Sequence, residues 1–114
     1  MKYTLLIYES AAAFDARTGP DRAAHWGAWR AYSEALKEAG VMAGGNPLQA
    51  PATATTVHVR EGERTVRDGP FADTKEQLGG YYLLDVPDLD AALDWASRCP
   101  TTDGAIEVRP VLSM

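Results

Sequence analysis

The sequence has very little of the chemistry that builds disulfides, metal sites or redox centres. Cys99 is the only cysteine among 114 residues, which excludes a disulfide within the chain and a metal site made of several cysteines. The two histidines, His25 and His58, are far apart and match no metal-binding spacing. Glycine-rich phosphate loops, nucleophile elbows and paired redox cysteines are also absent. We therefore expect a protein that works without a metal or another cofactor.

Long hydrophobic runs and excess positive charge are missing as well. No apolar stretch approaches the roughly 18 residues of a membrane-spanning helix, so we expect no membrane insertion. The chain carries 16 acidic and 11 basic side chains, a net charge of −5, which disfavours nucleic-acid binding because Lys and Arg neutralise phosphates. The first apolar run ends at Glu9 without a small-residue cleavage site, so we interpret it as a strand rather than a signal peptide. A cytoplasmic location is predicted.

What is present is an ordinary globular composition. Hydrophobic residues make up 46% and charged residues 24% of the chain, both near the averages of soluble domains. A chain of 114 residues is long enough to bury one hydrophobic core. The sequence contains no repeat, linker or low-complexity segment. We predict a single domain over residues 1–114.

Hydrophobic periodicity predicts two helices and several strands. A helix is predicted from Asp21 to Gly40, because Thr18–Asp21 favours a helix start and glycine favours a helix end. A second helix is predicted from Pro87 to about Cys99. At about 100° per residue, the apolar face of the first helix consists of His25, Trp29, Tyr32, Leu36 and Ala39. The predicted strands cover residues 2–8, 41–49, 81–86 and 106–111, with a hairpin at 54–60 and 64–67.

The order of these elements predicts the fold. Strand, helix, strand, hairpin, strand, helix, strand corresponds to two split βαβ units, a ferredoxin-like α+β fold with an antiparallel sheet and both helices on one face. Residues 2–8 and 81–86 are apolar at both odd and even positions, so the other face also carries apolar side chains. Because nothing else in the chain covers that face, we predict a homodimer packed sheet to sheet. The alternation over residues 54–60 predicts a hairpin with one face in water.

A turn segment separates the hairpin from the next strand. In Asp68-Gly-Pro-Phe71, glycine admits positive φ and proline lacks an amide donor, so a helix and a central strand are both disfavoured. We expect Gly69 to have a backbone conformation unfavourable for other residues. Asp68 is expected to accept hydrogen bonds from its own turn. We expect Phe71 to be the buried anchor of this loop, in which case its replacement by alanine would cost about 3–5 kcal/mol.

Three side chains are candidates for acid/base chemistry. His25 lies one turn into the first predicted helix, where the positive end of the helix dipole favours a neutral imidazole that can exchange a proton. The alternative is a structural histidine at the edge of the core. Asp73 and Glu76 form an Asp-x-x-Glu pattern. This pattern is typical of a capping box on a short helical turn, and it also suits a general base that lines a pocket.

Aromatic and basic side chains are candidates for holding a substrate. Lys75 or Arg30 would bind an anionic substrate if the loop after Phe71 lines a pocket. The aromatic residues would form the apolar walls of such a pocket, or they would simply belong to the core. These residues are Tyr8, Trp26, Trp29, Tyr81 and Tyr82.

The chain resembles the DGPF subgroup of the YCII-related proteins over nearly its whole length. The matching segments are Met1–Tyr8, Ala39–Val41, Leu48 with Pro51–Thr56, Asp68–Gly80, Val86–Ala92 and Glu107–Pro110. As a family marker this set is highly specific. The resemblance implies a ferredoxin-like fold that dimerises into the α/β barrel shared with muconolactone isomerase-like enzymes and cofactor-free monooxygenases.

The resemblance implies less about activity. A few YCII-type proteins act on small hydroxylated aromatics, with a proposed His–Asp pair for acid/base work. Many DGPF members are encoded beside, or fused to, extracytoplasmic-function sigma factors. The DGPF signature contains no histidine, so the resemblance does not assign a role to His25.

Two hypotheses follow from the sequence. The first is a cytoplasmic homodimer with a pocket between helix and sheet for a small organic molecule, with or without cofactor-free isomerase-like or lyase-like chemistry. Its catalytic candidates are His25, Asp73 and Glu76, and its substrate-binding candidates are Tyr8, Trp29, Arg30, Lys75 and Tyr81. The alternative is a non-catalytic binding or regulatory module associated with a sigma factor.

Overall fold

The computed structural model describes residues 1–114 and contains six strands, three α-helices and one short 3-10 helix at Pro51–Thr53. The strands of the main sheet are β1 (Lys2–Glu9), β2 (Met42–Pro47), β5 (Gln77–Asp85) and β6 (Gly104–Pro110). A separate hairpin consists of β3 (Thr55–Arg60) and β4 (Glu63–Asp68). The helices are α1 (Ala11–Asp15), α2 (Arg22–Glu38) and α3 (Leu89–Ser97).

The main sheet has the ferredoxin-like strand order. Its strands lie in the order β2-β5-β1-β6, and every neighbouring pair is antiparallel. The apolar first strand is therefore central, flanked by β5 and β6, as its pattern predicted. The predicted ferredoxin-like α+β fold is confirmed.

One face of the sheet carries both long helices and the core. The odd residues of β1 point to this face, where Leu5 is fully buried together with Leu36 of α2 and Leu84 of β5. The Tyr32 hydroxyl donates a 2.7 Å hydrogen bond to the Trp95 carbonyl and so ties α2 to α3. The buried apolar cluster contains Tyr3, Leu5, Ile7, Tyr32, Leu36, Tyr82, Leu84, Val86, Ala92, Ala96 and Cys99.

The apolar face predicted for α2 is only partly buried. Tyr32 and Leu36 are buried, whereas His25 and Trp29 are half-buried beside a cavity. Ala39 is exposed, because α2 ends at Glu38 and Gly40 follows with φ +72°. The N-terminal half of the helix therefore borders open space while its C-terminal half packs on the sheet.

The opposite face of the sheet has no helix over it. Leu6 of β1 lies directly across from Tyr81 of β5, and Leu83 lies across from Thr4. These side chains remain half-buried within one chain. The predicted uncovered apolar face is present.

The hairpin is more exposed than its sequence pattern predicts. Val57 faces Val66 across the two strands, yet these side chains are 54% and 66% exposed. Val59, on the same side of β3, is also exposed. The prediction that only one face of the hairpin is exposed to water is therefore wrong within one chain, because no other element packs against the valine side.

The loop after the hairpin differs from the expectation for Phe71. The phenyl ring is 77% exposed, so its expected burial as an anchor is wrong. It lies 5.7 Å from the His58 ring, beside the other hairpin face, and away from the main core. The expectation for Gly69 is confirmed, since its φ of +102° is in the region that favours glycine.

Polar side chains other than Asp73 hold the residues before β5. No helical turn forms over residues 72–76, so Asp73 caps no helix. Instead the Thr74 hydroxyl donates to the Glu76 carbonyl at 2.7 Å, and the Gln77 amide donates to the Ala72 carbonyl at 2.9 Å. β5 accordingly begins at residue 77, earlier than the predicted 81, because residues 77–80 pair with β1 and β2.

Candidate functional site

A cavity of about 300 Å³ lies between the N-terminal half of α2 and strands β1, β2 and β5. Its lining combines aromatic and aliphatic surface with a small number of polar groups, which is the usual make-up of a small-molecule site. The apolar lining includes Ile7, Trp26, Trp29 and Met42. The polar lining includes Glu9, Arg17, His25, Arg30, Ser33 and Tyr82.

Helical spacing brings the α2 side chains to this cavity. His25, Trp29 and Ser33 are separated by four residues each, so they follow one another along the same face of the helix. Trp26 and Arg30 form the adjacent row. The imidazole of His25 meets the Trp26 indole edge to face, with 4.9 Å between ring centroids. One helix therefore supplies an imidazole, aromatic surface and a guanidinium to the cavity.

An aromatic wall with a hydroxyl pair forms another part of the lining. Trp29 and Tyr82 are stacked with 6.4 Å between ring centroids and 21° between planes. The Tyr82 and Ser33 hydroxyls are hydrogen-bonded at 2.6 Å. Burial raises the pKa of the Tyr82 hydroxyl above its ordinary value, and the hydrogen bond to Ser33 only partly opposes this effect. The phenol therefore keeps its proton at neutral pH.

A buried ion pair closes the cavity at the end of β1. The Glu9 residue is 3% exposed, and its Oε2 lies 3.4 Å from Nη2 of Arg17. The Arg17 guanidinium also donates to the carbonyl of Leu48 and, at 2.9 Å, to that of Gly79. These contacts connect the end of β1 to the chain after β2 and to β5.

Aromatic rings enclose the arginine of this pair. The guanidinium carbon lies 4.7 Å from the centre of the Phe14 ring and 5.4 Å from that of Trp26. Such cation–ring contacts strengthen when water is excluded. The Trp26 indole in turn donates a 3.1 Å hydrogen bond to the Arg17 carbonyl. The short helix α1 and the start of α2 are thereby fixed around the guanidinium.

A bulge in β5 makes room for the Glu9 carboxylate. Ile7 pairs with Gly80 and Tyr8 pairs with Leu78, which leaves Gly79 as the extra residue. A Cβ atom at this position would overlap the Glu9 carboxylate. Glycine at this position therefore permits close approach of the carboxylate to the strand, and any side chain here would displace the carboxylate.

Comparison with protein families assigns the chain. The family model of the YCII-related domain matches residues 1–114. The chain belongs to the YCII-related domain family. An uncharacterised protein of Rhizobium meliloti (strain 1021) is 46% identical to this YCII-related chain over 77 residues. That match covers 65% of the chain and 62% of the relative.

A solved enzyme structure is similar to this YCII-related fold. It is the 5-chloro-2-hydroxyhydroquinone dehydrochlorinase of Burkholderia phenoliruptrix AC1100 in complex with 2,5-dihydroxybenzoquinone. The TM-score is 0.58 with 17% sequence identity, over 100% of this chain and 96% of the enzyme. At this identity the similarity establishes the fold alone.

Four of the residues predicted for the site line the cavity of the YCII-related chain. His25, Trp29, Arg30 and Tyr81 are all among its lining residues. Tyr81 is also hydrogen-bonded to β2, because its hydroxyl accepts a 3.0 Å hydrogen bond from the side-chain amide of Asn46. Because Tyr81 pairs with Leu6 of β1, its side chain points to the uncovered face of the sheet, whereas the three α2 candidates meet at the cavity.

The other four predicted residues lie elsewhere in the chain. Tyr8 is absent from the cavity lining, because even-numbered residues of β1 point to the uncovered face of the sheet. Asp73 and Lys75 are exposed and Glu76 is half-buried. Lys75 contributes only to a smaller cavity of about 200 Å³, and neither Asp73 nor Glu76 lines either one. Within one chain, Asp73 and Glu76 do not join His25, since the loop before β5 runs outside this cavity.

Sequence reasoning missed the Glu9–Arg17 pair. One signal was available for Glu9, because it continues the odd-numbered row of Tyr3, Leu5 and Ile7 and so had to point to the covered face. Arg17 gave no comparable signal, since it lies in a polar stretch between predicted elements. Its role depends on contacts with residues 31 and 62 positions away in sequence.

The structure contains neither a cluster of metal-ligating side chains nor a helix that could span a membrane. No group of three or more His, Cys, Asp or Glu side chains is arranged to hold a metal ion. None of the helices combines the length and the apolar composition needed to cross a bilayer.

Proposed function

We propose that this YCII-related protein binds a small organic molecule in the cavity beneath α2 and carries out acid/base chemistry there without a cofactor. The observation that carries the proposal is the cavity itself, which joins His25, a stacked aromatic wall and a buried carboxylate in about 300 Å³. This volume is at the lower end of the roughly 300–1,000 Å³ found for ligand pockets. A molecule about the size of one substituted ring therefore fits best.

The roles follow from the position of each side chain. His25 is the proposed proton acceptor, because an imidazole exchanges protons near neutral pH. Arg30 is exposed at the cavity and is the proposed partner for an anionic group of the ligand. Trp29, with the Tyr82 ring stacked on it, is the proposed contact for the ring of the ligand. Isomerase and lyase reactions proceed through such proton transfers, with departure of a leaving group in the lyase case, and neither requires an oxidant or reductant.

Hydroxylated rings are the ligand class we propose. The dehydrochlorinase with the same fold was solved with 2,5-dihydroxybenzoquinone bound. The cavity described above has a flat aromatic wall for the ring and protonated hydroxyls at Ser33 and Tyr82 for its oxygen atoms. Chemical complementarity and the shared fold thus support the same class.

A binding experiment tests this proposal. Calorimetric titration with hydroquinone and with 2,5-dihydroxybenzoquinone is expected to show saturable binding of at least one of them. Trp29→Ala should weaken that binding about tenfold or more, because it removes the stacked wall of the cavity. Phe71→Ala is the matched control, since its ring is exposed and outside the cavity. Equal affinities for wild type and Trp29→Ala would contradict the proposed location.

We also propose that the protein is a homodimer joined through the uncovered face of the sheet. The support is the row of half-buried apolar side chains on that face, including Leu6, Tyr81 and Leu83. Apolar surface of this kind on a small chain marks a protein interface. Sheet-to-sheet packing of two copies would cover both rows at once.

Sedimentation tests the dimer. At micromolar concentration the wild type should sediment with twice the chain mass of 12.3 kDa. Leu6→Asp should give monomers, because two facing carboxylates would be buried in the contact. Leu93→Asp on the outer side of α3 is the control, since Leu93 is already 46% exposed on the helix side of the sheet. A wild type that sediments as a monomer would rule out this interface.

A specific observation favours a second candidate function, that of a protein-binding or regulatory module. The valine side of the hairpin, formed by Val57, Val59 and Val66, is exposed and is separate from the uncovered face of the main sheet. A sigma factor and a cytoplasmic location are the partner and compartment that we propose for this candidate. Failure of every ring compound to bind in the titration above would favour it.

The Asp68-Gly-Pro-Phe71 segment supports a finer family assignment. We propose that the chain belongs to the DGPF subgroup of the YCII-related family. The positive φ of Gly69 gives this segment a structural reason for its glycine. Both candidate functions are compatible with that assignment.

A further inference from the structure

The Glu9 carboxylate is poorly satisfied for a buried charge. Its side chain is 4% exposed, and its single hydrogen bond, to Arg17, is long at 3.4 Å. An ionised carboxylate has about four acceptor sites, and buried charged groups normally fill most of theirs. The remaining acceptor capacity of Glu9 faces no donor of the chain.

The surroundings of Glu9 hold it in place without completing its hydrogen bonds. Arg17 is itself fixed by the carbonyls of Leu48 and Gly79 and by two aromatic rings. The bulge at Gly79 leaves no side chain between the carboxylate and the strand. Because Glu9 also lines the cavity beneath α2, a molecule in that cavity can reach it.

We infer that the Glu9 carboxylate accepts a hydrogen bond from an O–H or N–H group of the bound molecule, with Arg17 as the positioning residue that holds the carboxylate ready. This inference rests on the proposed function and adds a requirement to it. The ligand must present a hydrogen-bond donor to the end of β1. A ring whose hydroxyls are methylated would leave the buried carboxylate without that donor.

A pair of probes that share one ring, one with and one without hydroxyl donors, tests the inference. Hydroquinone has two hydroxyls, and 1,4-dimethoxybenzene is the same ring with both hydroxyls methylated. Both are uncharged at pH 7, since phenols titrate near pH 10. A hydrogen bond to a charged acceptor is worth about tenfold or more in affinity. The wild type should therefore bind hydroquinone at least tenfold more tightly than the ether.

Variants then assign the preference to Glu9. Glu9→Gln keeps the shape of the side chain and removes its charge, so it should reduce the preference for hydroquinone severalfold while the ether binds as before. Glu34→Gln is the control, because Glu34 is an exposed carboxylate on α2 outside the cavity lining. Glu34→Gln should retain the full wild-type preference. If Glu9→Gln does not fold, the wild-type comparison of the two probes still decides whether a donor is required.

The possible results separate this inference from the proposal on which it rests. Equal binding of the two probes by the wild type, or an unchanged preference in folded Glu9→Gln, would overturn the role of Glu9 and leave the ligand site intact. Failure of the wild type to bind hydroquinone, its ether and 2,5-dihydroxybenzoquinone would overturn the ligand site and the role of Glu9 together.

Discussion

Leu36→Ala should lower the free energy of unfolding by about 3–5 kcal/mol. Leu36 has no exposed surface and lies in the C-terminal half of α2, where the helix packs on the sheet. Its neighbours in the core include Leu5 and Leu84, which are equally buried. The substitution leaves a cavity that a central strand paired on both sides cannot fill by moving.

Urea denaturation at a fixed protein concentration measures this loss. Fixing the concentration is necessary because association of two copies would add to the apparent stability. Leu93→Ala is the matched control, since Leu93 is 46% exposed on α3 and should lose less than about 1 kcal/mol. A loss below about 1 kcal/mol for Leu36→Ala would mean that α2 does not pack on the sheet as described.

The fold was predictable because periodic patterns reflect burial directly. The apolar run at residues 2–8 predicted a central strand, and β1 lies between β5 and β6. Gly40 predicted the end of the long helix, and it follows α2 with positive φ. Asp88 caps α3 by accepting a hydrogen bond from the Ala91 amide, in agreement with the predicted helix start.

The loop before β5 was predicted less well because its pattern has two physical meanings. Asp-x-x-Glu suits a capping box or a site, and residues 72–76 form neither a helical turn nor part of the main cavity. Local hydrogen bonds from Thr74 and Gln77 are sufficient to hold the loop. Phe71 was expected to be buried on the basis of hydrophobicity alone, which does not specify whether a neighbouring element covers it.

The candidate site was predictable where a single element supplies it. His25, Trp29 and Arg30 were found because helical spacing alone brings them near each other. The Glu9–Arg17 pair was missed because it depends on how β1, α1 and β5 meet in three dimensions. Local patterns do not encode the bulge at Gly79, which gives the carboxylate its space. Glu9, the carboxylate that lines this cavity, was therefore not among the predicted residues.

The second large effect is expected from Arg17→Met, which should destabilise the protein by about 3–5 kcal/mol. Methionine keeps apolar contact with the Phe14 and Trp26 rings but removes the only charged partner of Glu9. The carbonyls of Leu48 and Gly79 also lose their donor. Removal of one member of a buried pair is costly because the other charge remains buried without compensation.

A double variant distinguishes this cause from a simple loss of packing. Adding Glu9→Gln to Arg17→Met removes the uncompensated charge, so it should recover a large part of the lost stability. Arg98→Met is the matched control, because Arg98 also pairs with a carboxylate at 3.3 Å and contacts an aromatic ring, yet it is half exposed. Exposed pairs contribute little, so this control should lose less than about 1 kcal/mol. A double variant no more stable than Arg17→Met alone would contradict this explanation. It would show that Arg17 stabilises the protein through packing and through its hydrogen bonds to the carbonyls, and not by compensating the buried charge of Glu9.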